Sequence, residues 1–149
     1  MRLFDAHNHL QDARFGGRQD ELIADCAASG LTKMVVNGTR ESDWPDVAAL
    51  AKRHDCVLPS FGLHPWFVHE RTADWLPNLE RQLDAWLGAV GEIGLDRWKP
   101  GLAYDGQEEV FTAQLRLAAE RNLPASIHCL KTRGRLHELL RDGPLPKRG

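Results

Sequence analysis

Cysteine is scarce in this sequence, and long apolar runs are missing. Cys26, Cys56 and Cys129 are an odd number without CxxC spacing, so they predict no disulfide framework, and a reducing compartment is the simplest interpretation. No apolar segment approaches the ~20 residues that a membrane span needs. Asp5 and His7 interrupt the start before the apolar core of a signal peptide could form. These absences predict a cytoplasmic protein without a membrane partner.

The chain also lacks an excess of basic residues. Its 149 residues carry 19 Lys and Arg against 21 Asp and Glu, a formal net charge of −2. This balance argues against a general basic coat for nucleic acid but leaves a local basic cleft open. Apolar residues make up 42% and charged residues 27%, as in ordinary globular proteins. The length is enough to bury a core, so we expect residues 1–149 to form a single domain.

Short apolar runs alternate with longer helical patterns along the chain. Five runs predict strands near residues 2–6, 33–37, 57–61, 89–93 and 125–128. Helices are predicted near residues 19–28, 74–86, 107–121 and 133–141, and a further one after Ser42 or Asp43. This alternation predicts an α/β fold with right-handed βαβ units and a parallel sheet. The tail from Pro144 to Gly149 has the composition of a linker toward a sixth strand.

Residues that bind metal ions stand where three of the predicted strands end. His7 and His9 follow the first strand, Glu92 lies at the end of the fourth, and His128 ends the fifth. Residues two apart on a strand point to the same face, and the carboxyl ends of barrel strands converge on one mouth. An isolated HxH pair or a lone carboxylate is more often incidental. Together, three imidazoles and a carboxylate are ligands with which a divalent cation activates water, so a metal-dependent hydrolase is the leading interpretation.

Four segments carry a family resemblance: DAHNHL at the start, GLHP at residues 62–65, GEIGLD at 91–96 and PASIHC at 124–129. In this combination the chain resembles the TatD-like metal-dependent hydrolases, often described as deoxyribonucleases, along its whole length. The resemblance implies a distorted parallel β/α barrel of the TIM and amidohydrolase type, truncated here after about five βα units. It also implies one or two divalent cations, with Zn²⁺, Mn²⁺ or Mg²⁺ as the candidates.

The same resemblance implies roles for individual residues. His7 and His9 match ligands of a first ion, Glu92 matches a carboxylate that bridges two ions, and His128 matches a ligand of the second. His64, from GLHP, matches a histidine near the substrate phosphate, although a loop histidine without substrate contact is an equal alternative. Glu92 and His64 are therefore the candidate catalytic residues. The implied reaction is hydrolysis of phosphodiester bonds, with the ends of DNA as the favoured substrate.

Contacts to the substrate are less clearly indicated. Members of the family usually have a basic residue two positions after the histidine of PASIHC, where this chain has Leu130. Lys131 is the neighbouring cation and the candidate phosphate contact. Trp66 follows GLHP, where an indole could stack on a base of a single-stranded end or cap the barrel core. Asp96 could pair with Arg97 or orient a metal ligand.

The resemblance leaves the site incomplete at residue 149. A further histidine and a later aspartate of the family pattern have no counterpart, and five strands leave two open sheet edges through which the chain could self-associate. The chain could be part of a longer hydrolase, a half-barrel that pairs with another chain, or a catalytically inactive metal-binding or interaction module. Hydrolysis of an amide or ester on a related barrel is a further alternative.

Overall fold

The computed structural model describes residues 1–147, and five parallel strands form its single sheet. Spatial order follows sequence order from β1 to β5. The strands are β1 (Leu3–Asn8), β2 (Leu31–Asn37), β3 (Val57–Phe61), β4 (Ala89–Asp96) and β5 (Ala125–Leu130). A sheet in which each strand pairs with the next in sequence is the start of a β/α barrel. The predicted α/β fold with five βα units is confirmed.

Helices follow each strand in turn. They are α1 (Gln19–Ala28), α2 (Trp44–Arg53), α3 (Trp75–Ala85), α4 (Tyr104–Arg121) and α5 (Arg133–Asp142), with two 3₁₀ helices at Ala13–Phe15 and Pro65–Glu70. Strands β1, β4 and β5 extend two or three residues past their predicted ends, because parallel backbone pairing continues to Asn8, Asp96 and Leu130. Among residues 1–147, no helix has the length and apolar character to cross a membrane.

The core is formed where the helices cover the three central strands. On α2, Trp44, Val47 and Leu50 recur at helical spacing and are at most 3% exposed. The Trp44 indole packs edge-on against Phe61 of β3, with 6.5 Å between ring centroids, and donates to the Gly62 carbonyl over 3.1 Å. These contacts fix the carboxyl end of β3 against α2.

The edge strands are covered much less than the central ones. Leu3 and Phe4 of β1 are 37% and 57% exposed, and Ile127 and Leu130 of β5 are each 37% exposed. By contrast, Val90 of β4 is fully buried. The two predicted open edges are thus accessible in the part of the chain that the structure describes.

Candidate metal centre

The strand ends bring the four predicted metal ligands, together with His64, into one place. His7, His9 and Glu92 form one group, and His64, Glu92 and His128 form a second. In each group, one ligand atom of every residue lies within 4.8 Å of the others. Glu92 belongs to both groups, as the prediction of a bridging carboxylate requires.

In the first group, both imidazole rings turn the same nitrogen toward the carboxylate. Nε2 of His7 and Nε2 of His9 lie 3.4 Å and 3.2 Å from Oε2 of Glu92. The two Nε2 atoms are 3.3 Å apart. Three donor atoms therefore converge, as ligands around one divalent cation do.

Hydrogen bonds on the far side of each ring decide which nitrogen can bind a cation. Nδ1 of His9 lies 2.8 Å from the Asn37 carbonyl oxygen, which only accepts, so Nδ1 carries the proton and a neutral ring keeps its lone pair on Nε2. Nδ1 of His7 lies 2.8 Å from Oγ of Ser126 on β5. The hydrogen bond to Glu92 raises the pKa of His9 in spite of partial burial, so a proton competes with a cation for Nε2.

In the second group, His128 and His64 behave differently. Nδ1 of His128 lies 3.1 Å from Oε1 of Glu92, so it is the nitrogen that could act as a ligand. Nδ1 of His64 accepts the backbone N–H of Trp66 over 3.1 Å, so its ring proton is on Nε2, which points toward His128 at 3.2 Å. Burial lowers the pKa of His64 to about 4, which keeps the ring neutral near pH 7. His64 is therefore suited to donate a hydrogen bond rather than to bind a cation.

Asp96 holds His128 in place. Its Oδ2 lies 2.9 Å from Nε2 of His128 and accepts the indole N–H of Trp66 over 2.7 Å. Its Oδ1 accepts the backbone N–H of Trp98 over 2.7 Å. Burial would raise the pKa of Asp96, but hydrogen bonds from the Lys99 amide, the Trp66 indole and His128 outweigh it and lower the pKa to about 2. Because this carboxylate accepts at Nε2, a neutral His128 ring keeps its lone pair on Nδ1, the nitrogen that faces Glu92. Burial acts to lower the pKa of His128, but its hydrogen bonds to Glu92 and Asp96 raise it, so a proton competes with a cation for Nδ1.

Two alternatives left open by the sequence are thereby separated. Asp96 contacts a predicted ligand, as one alternative had it, whereas the Arg97 guanidinium lies 3.8 Å above the ring of Tyr104.

The side chain of Glu92 is 14% exposed. Burial acts to raise its pKa, but hydrogen bonds from His128 and His9 lower it well below its usual range. The carboxylate shared by the two groups is therefore charged at neutral pH.

The predicted substrate contacts are placed less favourably. The half-buried Trp66 lines the cavity beside the candidate metal centre, but the Lys99 ammonium lies 4.3 Å from its ring centroid and covers one face. Lys131 is exposed in a left-handed turn with φ of 56° and is not among the residues that line the cavity beside the centre. Both residues stay predictions as substrate contacts.

That cavity of about 560 Å³ extends from His9 and Glu92 toward the loops that follow β1 and β2. Gln11, Thr39, Arg40 and Phe67 line it, and none of them was predicted as a site residue. The sequence could have indicated them by their position, because they lie just past the carboxyl ends of strands or shortly after GLHP, where barrel enzymes place their active sites.

Parallel strands that gather histidines and a carboxylate at their carboxyl ends are typical of metal-dependent hydrolases built on TIM-type barrels. The family profile described as "TatD related DNase" matches residues 4–149. The chain belongs to this family.

Individual relatives support the same assignment. The chain is 30% identical over 151 residues to the metal-dependent hydrolase YjjV of Escherichia coli K12, covering 99% of this chain and 58% of that protein. It is 32% identical over 143 residues to a 3'-5' ssDNA/RNA exonuclease TatD of Citrobacter koseri, covering 93% of this chain and 54% of that protein. The crystal structure of YjjV superimposes with a TM-score of 0.91 at 30% identity, over 99% of this chain and 58% of the other. The chain thus spans a little over half the length of these relatives.

Proposed function

We propose that this chain carries active-site residues of a metal-dependent phosphodiesterase that acts on the ends of single-stranded DNA. The observation that carries the proposal is the pair of ligand groups that share Glu92. A TatD relative is named as an exonuclease for single-stranded DNA and RNA, which favours nucleic acid over an amide or ester substrate. A cytoplasmic location belongs to the proposal and rests on the cysteine pattern.

The donor set fits divalent cations. His7, His9 and Glu92 would hold one cation, and Glu92 with His128 would contribute to a second. Two imidazoles and a carboxylate suit Zn²⁺ or Mn²⁺, while the oxygen ligand also admits Mg²⁺. When bound, such cations polarise phosphoryl oxygens and lower the pKa of coordinated water.

The chain's own residues orient the reacting groups. The Asn37 carbonyl and Asp96 hold the rings of His9 and His128 in the ligand tautomers. The neutral His64 would donate its Nε2–H to a phosphate oxygen of the substrate. Because the ring is fixed through the Trp66 amide, this donor is oriented before the substrate arrives, and little reorganisation is needed.

The exposed sheet edges favour a second candidate role, that of a metal-binding module that associates through β1 and β5. Apolar side chains at both edges, among them Phe4 and Ile127, are accessible, and uncovered strand edges pair readily with other strands. Under this alternative the chain binds cations and forms dimers or larger assemblies but does not cleave phosphodiesters.

The proposal is tested with a 5'-labelled single-stranded oligodeoxynucleotide incubated with the chain and Mn²⁺, Mg²⁺ or Zn²⁺. We expect progressive shortening with at least one cation, abolished by EDTA and by Glu92→Gln. Glu120→Gln, which changes an exposed carboxylate on α4, serves as the matched control and keeps the activity. Metal binding together with self-association and without any cleavage would overturn the proposal in favour of the module.

A further inference from the structure

The cavity beside the candidate metal centre is also lined by a cation that the proposed chemistry does not use. Arg40, in the loop after β2, lines the same cavity as His9, His64 and Glu92. Its side chain is 38% exposed, so the guanidinium is partly desolvated but reachable from the cavity.

Arg40 is held in one orientation by two contacts. Its guanidinium carbon lies 3.9 Å from the ring centroid of Phe67, and its Nη1 donates to Oε2 of Glu70 over 3.2 Å. Phe67 and Glu70 both belong to the 3₁₀ helix Pro65–Glu70, which begins directly after His64. The same short helix therefore supports the stacked arginine and the histidine donor of the metal centre.

Two of the acids that line the cavity are engaged by other groups, while Asp46, exposed in the first turn of α2, also lines it. Asp12 pairs with Arg14 at 2.7 Å, and these bonds lower the pKa of Asp12 to about 2. Asp43 accepts the hydroxyl of Thr39 over 2.6 Å and the backbone N–H of Thr39 over 3.0 Å. Among these contacts, the Arg40 guanidinium donates only one hydrogen bond, to Glu70. A guanidinium has five N–H groups, so others remain to bind an anion.

We propose that Arg40, stacked on Phe67, is a second phosphate subsite, which binds the phosphate adjacent to the one at the metal centre on the same strand. The subsite rests on the proposed function, because it needs a substrate with at least two phosphates. A planar guanidinium suits the bidentate contact to phosphate oxygens. The cavity volume of about 560 Å³ lies within the ~300–1,000 Å³ of small-ligand pockets and accommodates more than the scissile group.

The subsite has a measurable electrostatic signature. Each phosphate neutralised on a single strand contributes about −0.7 to the slope of log K against log salt concentration. Arg40→Gln should therefore reduce the magnitude of that slope by about 0.7. Arg40→Lys should keep the slope and lower the affinity, because a lysine retains the charge but neither stacks nor binds bidentately. Glu70→Gln should raise the affinity, since it removes the anion that competes for the guanidinium.

The test is fluorescence anisotropy with a labelled, hydrolysis-resistant phosphorothioate oligothymidylate in the presence of Mn²⁺, at several salt concentrations. Thymidine 5'-monophosphate and the dinucleotide pTpT serve as unlabelled competitors. We expect Arg40→Gln to weaken pTpT about 10-fold, the loss of a charge-assisted contact, and to leave the mononucleotide unchanged. Arg18→Gln removes another exposed arginine paired with a glutamate, outside the cavity, and should resemble the wild type.

The outcomes separate the two proposals. If the wild type binds the oligonucleotide but Arg40→Gln keeps the same slope and the same preference for pTpT, the subsite is wrong and the proposed function stands. If Arg18→Gln changes the slope as much as Arg40→Gln does, the contact is a general surface effect and the subsite is again wrong. If the wild type binds neither oligonucleotide nor mononucleotide, the proposed function fails and the subsite with it.

Discussion

Replacing Asp96 by asparagine should damage the metal centre without touching a ligand. The Asp96 side chain is fully buried, and its Oδ2 accepts from both Nε2 of His128 and the indole of Trp66. If the amide nitrogen of asparagine takes the place of Oδ2, its N–H groups face the Nε2–H of His128 and the indole N–H of Trp66, so donors face donors. The clash between donors is removed only if the His128 proton moves from Nε2 to Nδ1. Nδ1 is the nitrogen that faces Glu92, so the proton would then occupy the position from which His128 could bind a cation. The opposite amide orientation instead sets the two donors against the backbone N–H groups of Trp98 and Lys99.

The magnitude follows from these contacts. Removing a partner that orients a metal-binding histidine typically weakens metal binding about 10- to 100-fold, which corresponds to about 1.4–2.7 kcal/mol. The mismatched donors should also destabilise the folded chain by about 1–3 kcal/mol, the usual cost of a buried polar group without its partner. Both effects should appear although Asp96→Asn changes only a few atoms.

Metal affinity is measured by Zn²⁺ competition with a chromophoric chelator, and stability by urea denaturation in EDTA. Asp25→Asn, which changes an exposed carboxylate on α1, is the matched control and should reproduce the wild type in both assays. An Asp96→Asn protein that binds Zn²⁺ as tightly as the wild type would refute the argument that this carboxylate sets the tautomer of His128.

Other substitutions test the supports of the site and the core. Ser126→Ala removes the hydroxyl at Nδ1 of His7, so Zn²⁺ affinity should fall by about 10-fold, while Ser126→Thr should keep most of it. Trp44→Ala empties a position that is 2% exposed and should cost about 3–5 kcal/mol of unfolding free energy in urea. Because the pKa of Asp96 is lowered from 3.8 to about 2, its carboxylate stabilises the fold above pH 3.8, and this contribution of about 2 kcal/mol is lost as pH falls through 2. The stability gap between wild type and Asp96→Asn, measured in EDTA, should therefore narrow between pH 5 and pH 2.

The convergence of the candidate metal ligands could be predicted because the two-residue period of a strand and the position of strand ends can both be read from the sequence. His7 and His9 are two residues apart on one strand end, and Glu92 and His128 end later strands, so a parallel sheet necessarily brings them together. The central strands were recognisable for a different reason, since strands buried on both faces leave nearly continuous apolar runs, as β2 and β3 do.

The groups that orient these ligands could not be predicted in the same way. The partner of His9 is the backbone carbonyl of Asn37, and a carbonyl leaves no residue signature in the sequence. Ser126 meets His7 across 119 positions, and Arg40, in the loop after β2, stacks on Phe67 of the 3₁₀ helix Pro65–Glu70. Such contacts depend on how the loops close over the strand ends, which neither apolar periodicity nor motif spacing determines.

The most direct test of the central claim is the metal content of the purified chain, measured by elemental analysis after loading with Zn²⁺ or Mn²⁺ and desalting. The shared ligand groups predict at least one cation per chain in the wild type, lost in His9→Ala and in Glu92→Gln. His137→Ala, an exposed histidine on α5, should retain the full content. A wild type without bound cation, or cation binding that survives the loss of Glu92, would contradict the assignment of a metal centre at these strand ends.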